Sequence, residues 1–138
     1  MRNRKTKNLV SFIFSLTYLM GCDYYDDRLV VNNKKAFNIY VSFSEDTILS
    51  TNGNNTFMIP DYFIKSGEKK NIIEPGNKKS WQFLAEKSLM KQLHIFILSE
   101  DTLKKYETIS IVKMKKYDSR IDIGLKDLEG NNWEIICK

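Results

Sequence analysis

One histidine, two cysteines and two short acidic runs are the parts of this 138-residue chain whose side chains could do chemistry. His94 sits between Leu93 and Ile95 with no second His or Cys at ligand spacing, so no metal centre is expected and it reads as a structural histidine. Cys137 lies in the terminal run Trp133 to Lys138, where alternation sets it beside Trp133 and Ile135. It reads as a small buried filler and not as a nucleophile. The acid pairs Glu45-Asp46 and Glu100-Asp101 could act as general acid and base, or take calcium, only if their strands were neighbours. Gly53, Gly67, Gly76, Gly124 and Gly130 are isolated turn glycines, so there is no phosphate-cradling loop, and no nucleophile elbow is present. These absences predict a domain that binds and does not catalyse, with no cofactor and no metal.

Cys22 has a different setting. Met1 to Asn8 carries Arg2, Arg4, Lys5 and Lys7 with no acid, and the apolar run Leu9 to Met20 follows. That run is shorter than the roughly 20 residues a membrane-spanning helix needs, and its layout is that of a cleaved secretory signal. Leu19-Met20-Gly21-Cys22 resembles the lipobox of bacterial lipoproteins. The resemblance implies cleavage between Gly21 and Cys22 and a diacylglyceryl group on the Cys22 sulfur, with palmitate-type acyl chains holding the chain to a membrane. Residues 1–21 are then the signal peptide, 22–28 a polar tether and 29–138 one folded domain of ordinary size. The tether acids Asp23, Asp26 and Asp27 are either a solvated spacer or, by resemblance to Bacteroidetes lipoproteins, a surface-export signal.

With the signal set aside, the bulk properties change meaning. The chain carries a formal net charge of +5, but the four basic residues of the signal account for most of it. What remains is close to neutral, and a nucleic-acid partner loses its support. If Cys22 carries lipid, Cys137 is left without a disulfide partner, so the core must stabilise itself.

Alternation and turn residues predict the elements. Leu29 to Val31 is a short apolar run. Phe37, Ile39, Val41 and Phe43 share one face of a strand, with Tyr40 turned outward. Asn52-Gly53-Asn54-Asn55 is a turn, and Phe57 to Ile64 is loop or edge because Pro60 interrupts it. A short strand is expected around Asn71 to Ile73, and another where Trp81, Phe83 and Ala85 alternate. Leu93 to Leu98 is apolar on both parities and predicts a central strand covered on both faces. Ser99 or Asp101 caps a short helix reaching Tyr106; Ile109 to Met114 is strand or further helix. Lys115 to Ile123 reads as a long strand, Leu125 to Glu129 as a helical turn, and Trp133 to Cys137 as the last strand. The fold class is mainly β: a single antiparallel β-sandwich, Ig-like or similar, with one or two short helices after a cleaved signal peptide.

Ser-Glu-Asp-Thr occurs twice, at 44–47 and 99–102, each time at the end of an apolar strand. Side chains of this kind bond nearby backbone at strand ends and caps. Asp46-Thr47-Ile48 and Asp101-Thr102-Leu103 also resemble the acceptor motif of Bacteroidetes O-glycosylation, which makes Thr47 and Thr102 candidate sites. More widely, the lipobox, Asp26-Asp27-Arg28-Leu29, Asn32-Asn33, Ile95-Phe96-Ile97 running into Asp101 to Tyr106, Tyr117-Asp118, Asp127-Leu128 and Asn132 to Ile135 resemble small lipoproteins of Bacteroides and related Bacteroidetes. The family has no assigned activity, so the resemblance implies an address in the cell envelope, at the outer membrane or on the cell surface, and no site. Aromatics at Tyr24, Tyr25, Tyr40, Tyr62, Phe63 and Trp81 suit a surface that binds protein or glycan. An accessory binding domain is the first expectation; an immunity or inhibitor lipoprotein guarding the envelope is the second.

Overall fold

A computed structural model describes residues 25–49 and 57–138. The expected signal 1–21, its expected cleavage site at Gly21 and Cys22, Asp23, Tyr24 and the expected turn at 52–55 lie outside the described residues. Within them the chain is mainly β, with nine strands and four helices, and the strands form several sheets without closing a barrel.

Four strands make the largest sheet, in the order β4 (Phe63–Ile64), β3 (Ile39–Ser44), β7 (Gln92–Ser99), β8 (Ser119–Gly124). All its pairings are antiparallel. A second sheet sets β2 (Val30–Asn33) between β5 (Lys69–Asn71) and β9 (Glu134–Cys137). Here β2 and β9 run parallel, a departure from the all-antiparallel expectation that only a distant return of the chain can make. The short strands β1 (Tyr25–Asp26) and β6 (Glu74–Pro75) pair by themselves. The folded part therefore starts before Leu29: Tyr25 and Asp26 belong to it, although both were counted in the tether.

Central strand β7 divides the apolar interior. Leu93, Ile95 and Ile97 face a core shared with Ile39, Val41 and Ile64 of their own sheet and with Val31, Ile135 and Cys137 of the second. Phe96 and Leu98 point the other way, into a smaller core with Ile111, Leu103 and Tyr106. Both faces are covered, as the unbroken apolar run requires.

Helices cover what the strands leave. The segment read as an alternating strand is α1 (Ser80–Lys87). Trp81 and Ala85 are buried and Leu84 is half-buried, which is one helical face, while Phe83 points to solvent. Trp81 and Ala85 fit either period; the helix-forming run Gln82, Leu84, Glu86 and Lys87 decides for α. Ser99 caps α2 (Glu100–Lys105), its hydroxyl accepting from the Thr102 amide at 3.1 Å. Of the two alternatives for 109–114, the helix forms, as α3 (Thr108–Met114), and Lys115 ends it in the left-handed region at φ 52°. Strand β8 consequently starts only at Ser119. The last helix, α4 (Leu125–Gly130), stands where a helical turn was expected. Phe37, expected on the core face, precedes β3 and is exposed. No helix of the described residues is long and apolar enough to cross a membrane.

Candidate functional site

Ser88 ends α1 with an extended backbone, and a tight turn follows in which the Lys91 amide donates to the Ser88 carbonyl at 2.9 Å. Within that turn the Met90 amide donates to Ser88 Oγ at 3.3 Å, the local bond that serine offers at helix ends. Lys91 takes φ 52° and turns the chain into β7. Three residues later comes His94, flanked in register by Ser44 of β3 and Asp122 of β8.

That register brings together three residues that are distant in sequence. Ser88 Oγ lies 3.3 Å from His94 Nε2, and His94 Nδ1 lies 2.7 Å from Asp122 Oδ1. A carboxylate only accepts, so Nδ1 carries the proton toward Asp122; in the neutral ring Nε2 is then the acceptor for the serine hydroxyl. The second oxygen, Asp122 Oδ2, pairs with Arg120 at 2.9 Å, and Arg120 also donates to the Thr47 carbonyl at 3.1 Å. Burial pushes the Asp122 carboxyl up, but its bonds to His94 and Arg120 outweigh that and hold it below the ordinary value. His94 is nearly fully buried and Asp122 about one third exposed, so the chain of hydrogen bonds runs from the interior to the surface.

A cavity of about 300 Å³ opens on this chain, walled by Glu45 to Thr47, by Lys87 to Met90 and by His94. Leu89 stands fully in solvent at its rim and Met90 is largely exposed. A larger hollow of about 440 Å³ lies between β8 and β9, against Ile121, Ile123 and Glu134 to Ile136. Its walls hold no nucleophile.

The expected site residues fall in separate places. Asp26 is buried: its carboxylate accepts from Arg28 Nε at 2.8 Å, from Arg28 Nη2 at 2.7 Å and from the Trp81 amide at 3.2 Å. Asp27 is exposed. Thr47 is exposed on the cavity wall, whereas the Thr102 hydroxyl is engaged with Asp118 at 3.0 Å and with Ser99. Strands β3 and β7 are neighbours, but they are antiparallel, with Ile39 opposite Ser99 and Ser44 opposite His94. Glu45-Asp46 and Glu100-Asp101 therefore lie at opposite ends of the ladder, and the carboxylate dyad does not form. Tyr40 is half-buried, its ring 4.9 Å from Phe63, and Trp81 is wholly buried. Cys137 is buried and free, and burial pushes its thiol up to about 11. Among the described residues no group of three His, Cys, Asp or Glu side chains is placed to hold a metal ion.

Sequence reasoning missed Ser88 and Asp122, and so left His94 without partners. A signal for Asp122 existed: Arg120 and Asp122 occupy the parity opposite to Ile121 and Ile123, the polar face of a strand. In comparisons with known proteins, no family model, no curated protein and no solved structure matches this chain. The reading of the site therefore rests on its geometry alone.

Proposed function

We propose that this chain is a lipid-anchored envelope protein whose domain binds a partner protein at the end of the central strand, where the cavity of Glu45 to Thr47, Lys87 to Met90 and His94 opens. The signal 1–21 is removed, Cys22 is acylated, and the domain stands at the outer membrane. Asp23 and Asp27 remain the acids available to an export signal, since Asp26 is engaged within the fold. The scaffold is a sandwich-like pair of sheets; the core common to β2, β9, β3 and β7 supports that description.

The observation that carries the binding reading is the tip Leu89–Met90, apolar and exposed beside the cavity. Single exposed apolar residues are common, but here two adjacent ones stand on the wall of a cavity that the acidic turn Glu45-Asp46 also lines. Aliphatic side chains with flanking charges fit a protein surface better than a sugar ring, which calls for an aromatic platform. Acids on the same rim favour an inhibitor or immunity role as the second reading. Thr47 is the more open of the two candidate glycosylation sites, and a glycan there would stand at the same mouth.

Two experiments test this. Cys22→Ser should abolish labelling of the protein by a fatty-acid probe; labelling that persists excludes the anchor. A soluble form lacking Cys22 should retain a specific envelope protein, and Leu89→Ser with Met90→Ser should lose it by about tenfold or more in affinity. Retention unchanged by the double substitution places the interface elsewhere.

A further inference from the structure

A serine hydroxyl, an imidazole and a carboxylate are joined in that order at His94, and in the neutral ring the tautomer that donates to Asp122 is the one that can take the hydroxyl proton. A single acceptor and a single donor would satisfy the ring. Here that single acceptor is a carboxylate and that single donor is the hydroxyl of a residue lining a cavity, a combination that satisfies the ring and can also do chemistry. The arrangement has the parts and the connectivity that activate a serine nucleophile.

We propose that Ser88, His94 and Asp122 form a hydrolytic relay that cleaves a carboxylic ester bound in the cavity of about 300 Å³. Ser88 Oγ attacks the ester carbonyl carbon while His94 Nε2 takes the hydroxyl proton. The C–O bond to the alcohol then breaks, and His94 returns that proton to the departing oxygen. Water follows the same route: its proton goes to His94, its oxygen to the acyl carbon, and Ser88 recovers its proton as the acid leaves. Ser88 and His94 are the catalytic residues. Asp122 is a positioning residue that holds the ring and its tautomer, and Arg120 holds Asp122.

The same turn supplies an oxyanion donor. The Met90 amide donates to Ser88 Oγ at 3.3 Å, and on attack it would shift from Oγ to the oxygen of the carbon that Oγ bonds. One such donor suits an ester, whose leaving group departs more easily than an amide's. Apolar Leu89 and Met90 on one wall and Glu45 to Thr47 on the other fit an apolar acyl group joined to a polar alcohol. The separation of 3.3 Å between Oγ and Nε2 is loose, as apo sites often are before substrate tightens them.

This inference goes beyond the binding reading, and the two fail separately: partner capture does not need the Ser88 hydroxyl, and ester cleavage does not need the partner. The soluble domain should take one fluorophosphonate on Ser88, read by mass spectrometry. It should also hydrolyse p-nitrophenyl butyrate above buffer. Ser88→Ala and His94→Gln should lower that rate by about a hundredfold or more, and Asp122→Asn should lower kcat with little change in KM. Because these changes also remove structural bonds, Ser88→Cys provides a second readout. Its thiol should react with iodoacetamide faster than the same thiol in Ser88→Cys with His94→Gln. A folded domain with no adduct at Ser88 and no hydrolysis above buffer overturns the proposal, as does equal thiol reactivity with and without His94.

Discussion

Helix α1 is tied at its start to Asp26 and, through Ser88 and His94, at its end to Asp122; each aspartate pairs with an arginine two residues away, and the two carboxylates differ in how far water reaches. At the first end Asp26 has no exposed side-chain surface, while its partner Arg28 also lies 4.0 Å over the Trp133 ring. The Asp26 carboxylate meets the Trp81 amide, and the Asp26 carbonyl accepts the Trp81 indole at 3.0 Å. Lys79 gives the helix no side-chain cap, so a carboxylate from another strand does that work. At the second end Asp122 pairs with Arg120, but it is 32% exposed and its other oxygen holds His94, which holds Ser88. One carboxylate is sealed and closes the fold. The other leaves a proton path beside a cavity. The same ionic element is structural where it is surrounded, and open to chemistry where one side is left to solvent.

Asp26→Ala should show the largest difference between the two ends. It should cost about 2–4 kcal/mol, mainly because the buried Trp81 amide loses its acceptor, while Arg28, 35% exposed, can turn to solvent. Asp122→Ala should cost about 1–2 kcal/mol, since solvent can replace the bond to Arg120 but the buried His94 Nδ1–H loses its acceptor. Urea unfolding of the soluble domain checks both, and equal losses would break the comparison. The sealed end also carries backbone strain. Asn132 and Trp133 both have positive φ, 52° and 61°, a conformation costing roughly 1–2 kcal/mol for a residue with a Cβ. The Trp133 amide bond to the Leu128 carbonyl and the Arg28 stack hold it there.

Acid should separate the ends next. Burial pushes the Asp26 carboxyl up, but the Arg28 side-chain bonds, the Trp81 and Arg28 amides and the Arg28 charge together hold it below its ordinary 3.8. The unfolded chain then binds the proton first, so stability rises with pH between the folded value and about 4. The contribution is complete above that window and is lost as pH falls through the folded value. Asp122 moves in the same direction, with more solvent around it. Glu74, opposite Asp26 in the β1–β6 pair, moves the other way: burial and the Asp26 charge raise it above 4.5, so its share is lost as pH rises. The stability gap between wild type and Asp26→Asn should narrow from pH 6 to pH 3, and narrow less for Asp122→Asn. A gap that does not change for either would show that neither carboxylate is held by its arginine.

The sealed end was hidden from sequence reasoning because Asp26 looks like one acid among several in a polar leader. Only the return of Glu74–Pro75 and Trp81 to its side buries it. The open end was hidden for a related reason. Ser88 follows a segment whose alternation imitated a strand, and Asp122 reaches His94 through a register that no single stretch encodes. Strand β7 was legible because an apolar run on both parities has few other uses. The two Ser-Glu-Asp-Thr stretches show the limit of local patterns. Ser99 caps a helix with Asp118 bonded to its hydroxyl at 3.1 Å, while Ser44 accepts the Asp46 amide at 3.0 Å and closes an exposed turn. Identical residues supply the same bonding capacity, and what packs next to them decides its use.

Cutting the hydrogen-bond chain itself should cost less than opening the sealed end. His94→Ala removes a buried ring with two bonds and should cost about 2–3 kcal/mol, part of it from the cavity left behind. Ser88→Ala should cost about 1 kcal/mol, since it removes one hydroxyl that accepts from Met90 and donates to His94. If Ser88→Ala proved as damaging as His94→Ala, the hydroxyl would be a structural pin for the turn after α1. The ranking is readable from thermal midpoints alone.

The smallest effect on stability should come from the tip that stands beyond the open end. Leu89 has its whole surface in solvent and Met90 most of it, so neither side chain loses packing when it is shortened. The turn beneath them is held by backbone, through the Lys91 amide and the Ser88 carbonyl, and by the Met90 amide on Ser88 Oγ; no side chain of the tip takes part. Leu89→Ser with Met90→Ser should therefore leave the urea midpoint within about 0.5 kcal/mol of wild type, while reducing retention of the partner protein. A larger loss of stability would mean that the tip packs onto the cavity wall in solution and that the cavity is normally closed. Unchanged stability with reduced retention would instead show that this end of α1 keeps apolar surface exposed in order to meet another molecule, the counterpart of the end at which Trp81 and Trp133 are spent on the fold.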